Sequence, residues 1–296
     1  MKKFAILTDT VCDLGKELRE KHDIDYVKMN YVIDGKEYPA SLDWEDLSAH
    51  DFYDLMRNGT RIRTTQVPRE VYTERFTYWL EQGIDVLYIA CSSALSGSVN
   101  LAAIIAKELA EKYTEAKVIC IDSLCSSLGQ GRMVITAALM RDEGKDVDEV
   151  AAHIEATKLK VNQFGTAGSL EYLRRAGRIK ASKAFFGNLF GVKPIIISDK
   201  LGQNYAFKKV KGAANARKEI ASLIAEAVEN PEEQCLYISH ADAPEDAEAF
   251  KNDILALVPF KETYVNYIAP IVGASVGPGT VIVFCYGKEV TIEGRE

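Results

Sequence analysis

Short apolar runs alternate along the chain with longer stretches whose apolar residues recur at helical spacing. In the first half the runs at residues 4–8, 26–33, 86–91 and 117–121 predict strands. Helices are predicted near 15–21, 49–57, 69–82, 102–113 and 128–143, and a further one near 148–157 carries the chain onward. The second half predicts strands at 163–166, 194–197, 205–208, 234–239, 264–268 and 280–286. Helical patterns lie between them at 170–175, 213–228 and 244–257. Asp148 and Pro244 suit helix starts by capping and first-turn chemistry. The alternation predicts an α/β fold with largely parallel sheets. A chain of 296 residues is long enough for two such domains. Their boundary is expected near 155–162, giving an N-terminal α/β domain over 1–158 and a C-terminal α/β domain over 159–296.

The most informative stretch is Ser92-Ser93-Ala94-Leu95-Ser96-Gly97-Ser98. It follows the buried-strand pattern at 86–91 and leads into an alanine-rich helix. Small hydroxyls and a glycine therefore sit on a strand-to-helix turn, where the first helical N–H groups are unpaired and the helix dipole favours a negative group. Such a turn can hold a phosphate or a carboxylate without a metal. The same residues also serve as a plain serine cap.

Open α/β sheets bind ligands beyond the carboxyl ends of their strands, and other polar clusters fall at such ends. Thr8-Asp9-Thr10 follows the first strand and Asp122-Ser123 the fourth, while Ala274-Ser275-Val276-Gly277-Pro278-Gly279 reads as a glycine-rich turn before the last strand. Thr64-Thr65-Gln66 precedes the helix near Arg69. Each has a bland alternative as a cap or local turn.

Composition narrows the chemistry. A net charge of −7 argues against nucleic-acid binding, although Arg174, Arg175, Arg178, Lys180, Lys183 and Lys193 form a locally basic run. Six cysteines include no CxxC pair, which speaks against a zinc site or a disulfide framework. The four histidines, His22, His50, His153 and His240, stand in no recognisable catalytic order. Neither a Walker A loop nor GxGxxG is present. No apolar stretch approaches a membrane span and no signal-peptide pattern opens the chain, so a cytoplasmic protein without stable membrane insertion is expected. Hydroxyls and backbone N–H groups without a base suit binding better than catalysis. The aromatic stretch Ala184-Phe185-Phe186-Gly187-Asn188-Leu189-Phe190 could wall an apolar tunnel ending at the hydroxyls, which would suit an amphipathic ligand.

The order of these pieces resembles the DegV family of bacterial fatty-acid-binding proteins over essentially the whole chain. The resemblance rests on Ile6-Leu7-Thr8-Asp9-Thr10 with Asp13-Leu14, Thr64-Thr65-Gln66, the serine stretch 92–98, Leu170-Glu171-Tyr172-Leu173 leading to Gly177-Arg178-Ile179, Lys193-Pro194-Ile195, and Gly277-Pro278-Gly279. It implies two α/β domains with a long-chain fatty acid in the cleft between them. It places the carboxylate on Thr64 and Ser96, the latter where the serine turn meets its helix. Thr65, Ser93, Gly97 and Ser275 are candidate supporting residues, and Phe185, Phe186, Leu189 and Phe190 candidate tunnel residues. No cofactor, metal or catalytic residue is implied: the protein would be a carrier, presenting the acid to a partner fatty acid kinase that makes an acyl phosphate.

The sequence departs from the family pattern where kinase-linked members often carry a histidine and an arginine. Ser275 and Lys211 stand there instead, and Ala176 and Ser98 replace a common glycine and threonine. Lipid binding therefore transfers more readily than the kinase partnership. The competing reading is a metal-dependent phosphoryl- or acyl-transfer enzyme using Asp9 and Asp122, since the family fold is also similar to that of dihydroxyacetone kinase.

Overall fold

In a computed structural model, which describes residues 4–181, 185 and 191–294, the chain opens with β1 (Ala5–Asp9), α1 (Lys16–Lys21), β2 (Ile24–Val27), β3 (Asn30–Ile33) and β4 (Lys36–Pro39). There follow α2 (Ala49–Arg57), β5 (Arg63–Thr65), α3 (Arg69–Leu80), β6 (Val86–Ala90), α4 (Ser98–Ala110) and β7 (Val118–Asp122). Then come α5 (Ser127–Asp142), α6 (Val147–Thr157), β8 (Val161–Thr166), α7 (Leu170–Ala176), β9 (Val192–Ser198) and β10 (Asn204–Lys211). The chain ends with α8 (Ala213–Ala227), β11 (Cys235–His240), α9 (Pro244–Leu255), β12 (Glu262–Tyr267), α10 (Pro270–Val276) and β13 (Val281–Tyr286).

The first sheet is parallel throughout, in the order β2-β1-β6-β7. Every residue of β1 and β6 is buried, as continuous apolar runs in a sheet covered on both faces require. The second sheet, β10-β9-β8-β13-β11-β12, departs from the expected parallel arrangement. Only β11 and β12 pair parallel; the other neighbours are antiparallel. One cause is visible between β9 and β10, where residues 199–203 form a tight turn with Gly202 at φ +75°. That connection is too short for the crossover a parallel pair needs.

A small antiparallel sheet, β4-β3-β5, was not predicted. The single strand expected over 26–33 breaks near Met29, whose N–H donates to Thr10 Oγ1 and whose carbonyl accepts from Ala40. These bonds leave the ladder, sending β2 into the parallel sheet and β3 into the small one.

Helix α5 packs on β1 and β6 of the first sheet and on β8, β11 and β13 of the second. It is buried on nearly every face, and glycines make this possible. A Cβ on Gly131 would stand 2.6 Å from the Cys12 carbonyl oxygen, and one on Gly129 would stand 2.9 Å from the Phe284 ring. Helices α8 and α9 cover the far face of the second sheet around Ile220, Ile224, Phe250 and Ile254. Among the described residues no helix is long and apolar enough to cross a membrane.

Candidate functional site

The strand order reverses between β1 and β6, so their carboxyl ends open a crevice at the point where α/β sheets bind ligands. Asp9 ends β1 there, fully buried. Its Oδ1 accepts from the Val11 N–H at 3.0 Å and from Gln130 Nε2 at 3.1 Å. Its Oδ2 accepts from the Tyr88 hydroxyl and the Cys91 N–H, both at 3.0 Å. All four acceptor positions of the carboxylate are thus taken by protein donors.

After β6 the chain turns through the serine stretch. The Leu95 and Ser96 N–H groups both donate to the Ser92 carbonyl at 3.0 Å, folding the turn back on itself. Ser96 Oγ accepts from the Ser98 N–H at 3.3 Å and donates to Ser98 Oγ at 3.0 Å, so Ser96 stands two residues ahead of the first residue of α4. A Cβ on Gly97 would lie 2.8 Å from Gln66 Oε1, which brings the two hydroxyl clusters of the sequence side by side. Thr64 and Thr65 are held on β5 by pairing with β3, and the Thr65 hydroxyl donates outward to Glu37 Oε1 at 2.6 Å.

These residues border a cavity of about 250 Å³, far above the ~10–15 Å³ that one water needs. Thr64, Thr65, Gln66, Ser96, Gly97 and Ser275 contribute one part of its wall, and Met29, Leu95, Leu173, Ile196, Ile271 and Val272 an apolar part. Its walls come from both halves of the chain. An adjoining cavity of about 200 Å³ shares Thr64, Arg178 and Ser275 and adds Arg61, Arg63 and Arg175.

The remaining sequence candidates fall elsewhere. Ser93 is exposed, and its N–H donates to Asp122 Oδ1 at 3.1 Å. Half-buried Phe185 does not line the cavity; its ring lies 5.0 Å from the Lys209 ammonium. Phe186, Leu189 and Phe190 lie outside the described residues. Ser275 sits in α10, a helix where a turn was expected. Lys211 is exposed at the end of β10.

Sequence reasoning missed Gln163, Thr166 and Asn204, which reach the cavity from β8 and β10. Gln163 Nε2 donates to Asn204 Oδ1, while Gln163 Oε1 and Thr166 Oγ1 are buried without a partner among the described residues. Polar residues inside a strand pattern were the available signal. Arg178 is the single charged residue on the cavity wall among those described; its Nε donates to the Leu95 carbonyl at 3.2 Å.

The donor sets do not favour a metal at the aspartates. Asp9 has no free lone pair, and Asp122 Oδ1 accepts from the N–H groups of Ser93 and Leu124. Among the described residues His50, Asp54 and Asp242 do converge, but Arg57 Nη1 lies 2.7 Å from both carboxylates and supplies the cation itself. His240 packs on Tyr267, and its Nδ1 accepts from the Ala243 N–H, with burial lowering its pKa.

A sequence model of the family described as "Uncharacterised protein, DegV family" matches residues 3–288. The chain belongs to the DegV family. A DegV domain-containing protein of Clostridium perfringens is 37% identical over 287 residues, covering 97% of this chain and 98% of that protein. Among solved structures, a DegV family protein from Thermus thermophilus, described for its fatty acid binding, superposes with a TM-score of 0.87 at 26% identity, covering 97% of this chain and 100% of that one. DegV of Bacillus subtilis, described as a fatty acid binding protein, gives a TM-score of 0.81 at 25% identity, again covering 97% and 100%.

In this DegV chain a second buried carboxyl, Asp13, ties the loop after β1 to the second sheet. Its Oδ1 accepts from the Ala269 N–H at 2.9 Å and its Oδ2 hydrogen-bonds the Ser127 hydroxyl, which also lies 2.9 Å from the Ser239 hydroxyl. Burial pushes its pKa from 3.8 up to about 8; the bonds from Ser127 and Ala269 pull it down and the Asp9 charge raises it. The folded protein then keeps this proton to about pH 8, whereas the unfolded chain releases it near 3.8. Stability from Asp13 is full below the unfolded value and is lost as pH rises through the folded one. Melting temperature is therefore expected to fall between pH 6 and pH 8.5, and to fall less steeply in Asp13→Asn. Parallel melting curves for both proteins across that range would contradict the assignment.

Proposed function

We propose that this protein binds a long-chain fatty acid, with its carboxyl group at Thr64 and Ser96 and its chain along the apolar wall of the cavity. The observation that carries this reading is the continuity of the two: one cavity joins the paired hydroxyl loops to Met29, Leu95, Leu173, Ile196, Ile271 and Val272. The fatty acid binding described for the Thermus and Bacillus relatives supports it. On this reading domains 1–158 and 159–296 each supply part of the wall. Burying about 14 methylenes at ~0.8 kcal/mol each gives a gross gain near ~11 kcal/mol. Lost ligand freedom offsets several kcal/mol of that, leaving micromolar or tighter affinity.

The protein is a carrier on this reading, and the chemistry belongs to a partner kinase that phosphorylates the carboxyl group. The arginines of the adjoining cavity, Arg61, Arg63, Arg175 and Arg178, would draw an acid head group toward that side. Mass spectrometry of protein purified from cells, native and then solvent-extracted, tests the binding. A stoichiometric fatty acid is expected. An empty protein that also fails to take up added fatty acid would overturn the reading.

A further inference from the structure

One polar side chain on the cavity wall is held in a single orientation and keeps an acceptor unused. Gln163 is 4% exposed and borders the cavity. By strand alternation it shares a face of β8 with Gly165, whose cross-strand partners Ile196 and Ile282 also line the cavity. Phe164 faces the other way, into the cluster of Ile220, Ile224 and Phe250. Gln163 therefore stands on the cavity side of the second sheet.

Its neighbours fix which end of the amide does what. Asn204 Nδ2 donates to the Arg178 carbonyl at 3.1 Å, so Asn204 Oδ1 is the end left to face Gln163. Gln163 Nε2 donates to that oxygen at 3.1 Å. Gln163 Oε1 is then the remaining end, buried and without a partner among the described residues. An amide oxygen only accepts, so the group it lacks is a donor. Of the nearby hydroxyls on the wall, Thr280 already donates to the Val276 carbonyl at 3.0 Å. Thr166 Oγ1 is unpaired as well, but alternation puts it on the face of Phe164.

We propose that Gln163 is a specificity-determining residue of this cavity and selects a fatty acid whose chain carries a hydroxyl group, which donates to Gln163 Oε1. This inference rests on the fatty-acid reading above and adds the class of chain. Water can satisfy a buried amide oxygen in a lipid-free cavity, but an acyl chain that fills the same space displaces it. A plain hydrocarbon chain then leaves Oε1 stranded, whereas a chain hydroxyl supplies the missing donor. A site that pairs a ligand hydroxyl discriminates against the analogue lacking it for this reason.

The same chemistry sets where the hydroxyl lies. A hydroxyl is costly to bury among Met29, Leu173, Ile196 and Ile271 unless it finds an acceptor, so it is held where Gln163 is. The head-group residues are on other elements: Thr64 is on β5 and Ser96 on the serine turn, whereas Gln163 is on β8. Contacts to the carboxyl group and to the chain hydroxyl are thus made by separate parts of the wall and can be removed independently.

The test is displacement of a fluorescent fatty acid from the full chain by octadecanoate and by a series of racemic hydroxyoctadecanoates whose hydroxyl stands at successive positions along the chain. At least one hydroxy isomer is expected to bind wild type about tenfold more tightly than octadecanoate. Gln163→Met keeps the unbranched side chain and removes the acceptor; it should lose that preference while binding octadecanoate no more weakly than wild type does. Gln163→Leu takes its place if the methionine variant does not fold. Octadecanoate binding wild type as tightly as every hydroxy isomer, or a preference that survives in the variant, overturns the assignment of Gln163 and leaves fatty-acid binding standing. Failure of wild type to bind any of these acids overturns both.

Discussion

The double variant Thr64→Ala, Ser96→Ala is expected to lose about 100-fold or more in fatty-acid affinity. Hydrogen bonds to a charged group contribute about 1.5–3 kcal/mol each, and each 1.4 kcal/mol is tenfold, so two such losses reach that range. The side chains are only partly buried, and their removal leaves little stranded in the lipid-free protein. Ser96 Oγ gives the Ser98 N–H a long bond of 3.3 Å, comparable to a weak cap, so lipid-free stability should change by about 1 kcal/mol or less. Displacement of a fluorescent fatty acid, with thermal melting of the empty protein, separates the two effects. Unchanged affinity would place the head group elsewhere on the cavity wall.

Gly277→Ala should damage folding more than any surface change. Gly277 sits at φ 77° and ψ 167°, a backbone region that essentially only glycine occupies, at a cost of about 1–3 kcal/mol for other residues. Its Cβ would also lie 2.2 Å from the Tyr172 ring. That ring is fixed: its hydroxyl donates to the Met56 carbonyl at 3.2 Å, and forced overpacking adds about 1–3 kcal/mol. A fall in melting temperature of about 4 °C or more follows at ~2–4 °C per kcal/mol. Gly59→Ala is the control, since Gly59 has φ +90° with no atom within 4 Å of the added Cβ. Equal losses in the two variants would show that the Tyr172 contact yields without cost.

The parts legible in the sequence were those whose cause is local. The runs forming β1 and β6 are continuously apolar because both faces are covered, and the serine turn announces itself by its residue types. The small sheet was hidden because Lys36–Pro39 and Arg63–Thr65 are short and polar, and only pairing with distant β3 makes them strands. Helix α10 was hidden for the opposite reason: nearly every residue is buried, so no amphipathic stripe appears, and Gly273 with β-branched neighbours reads as turn or strand. The antiparallel second sheet depends on which edge each strand joins, which alternation alone does not encode. Of the site, the hydroxyl loops were visible, while Gln163 lay inside a strand pattern and Asn204 at the edge of one. Their side chains meet because β8 and β10 lie one strand apart in the second sheet.

Helix α5 belongs to both sheets at once, and this bears on how a ligand can enter and leave. A clam-shell opening would have to peel α5 from one sheet, separating the Gly131 backbone from Cys12 or the Gly129 backbone from Phe284. It would also break the Asp13, Ser127 and Ser239 bonds that lie beside the helix start. Such a hinge would expose core across the whole junction. A fatty acid that binds as proposed is therefore expected to pass by rearrangements at the rim, where β5, the serine turn and α7 meet, with the contacts of α5 to both sheets kept.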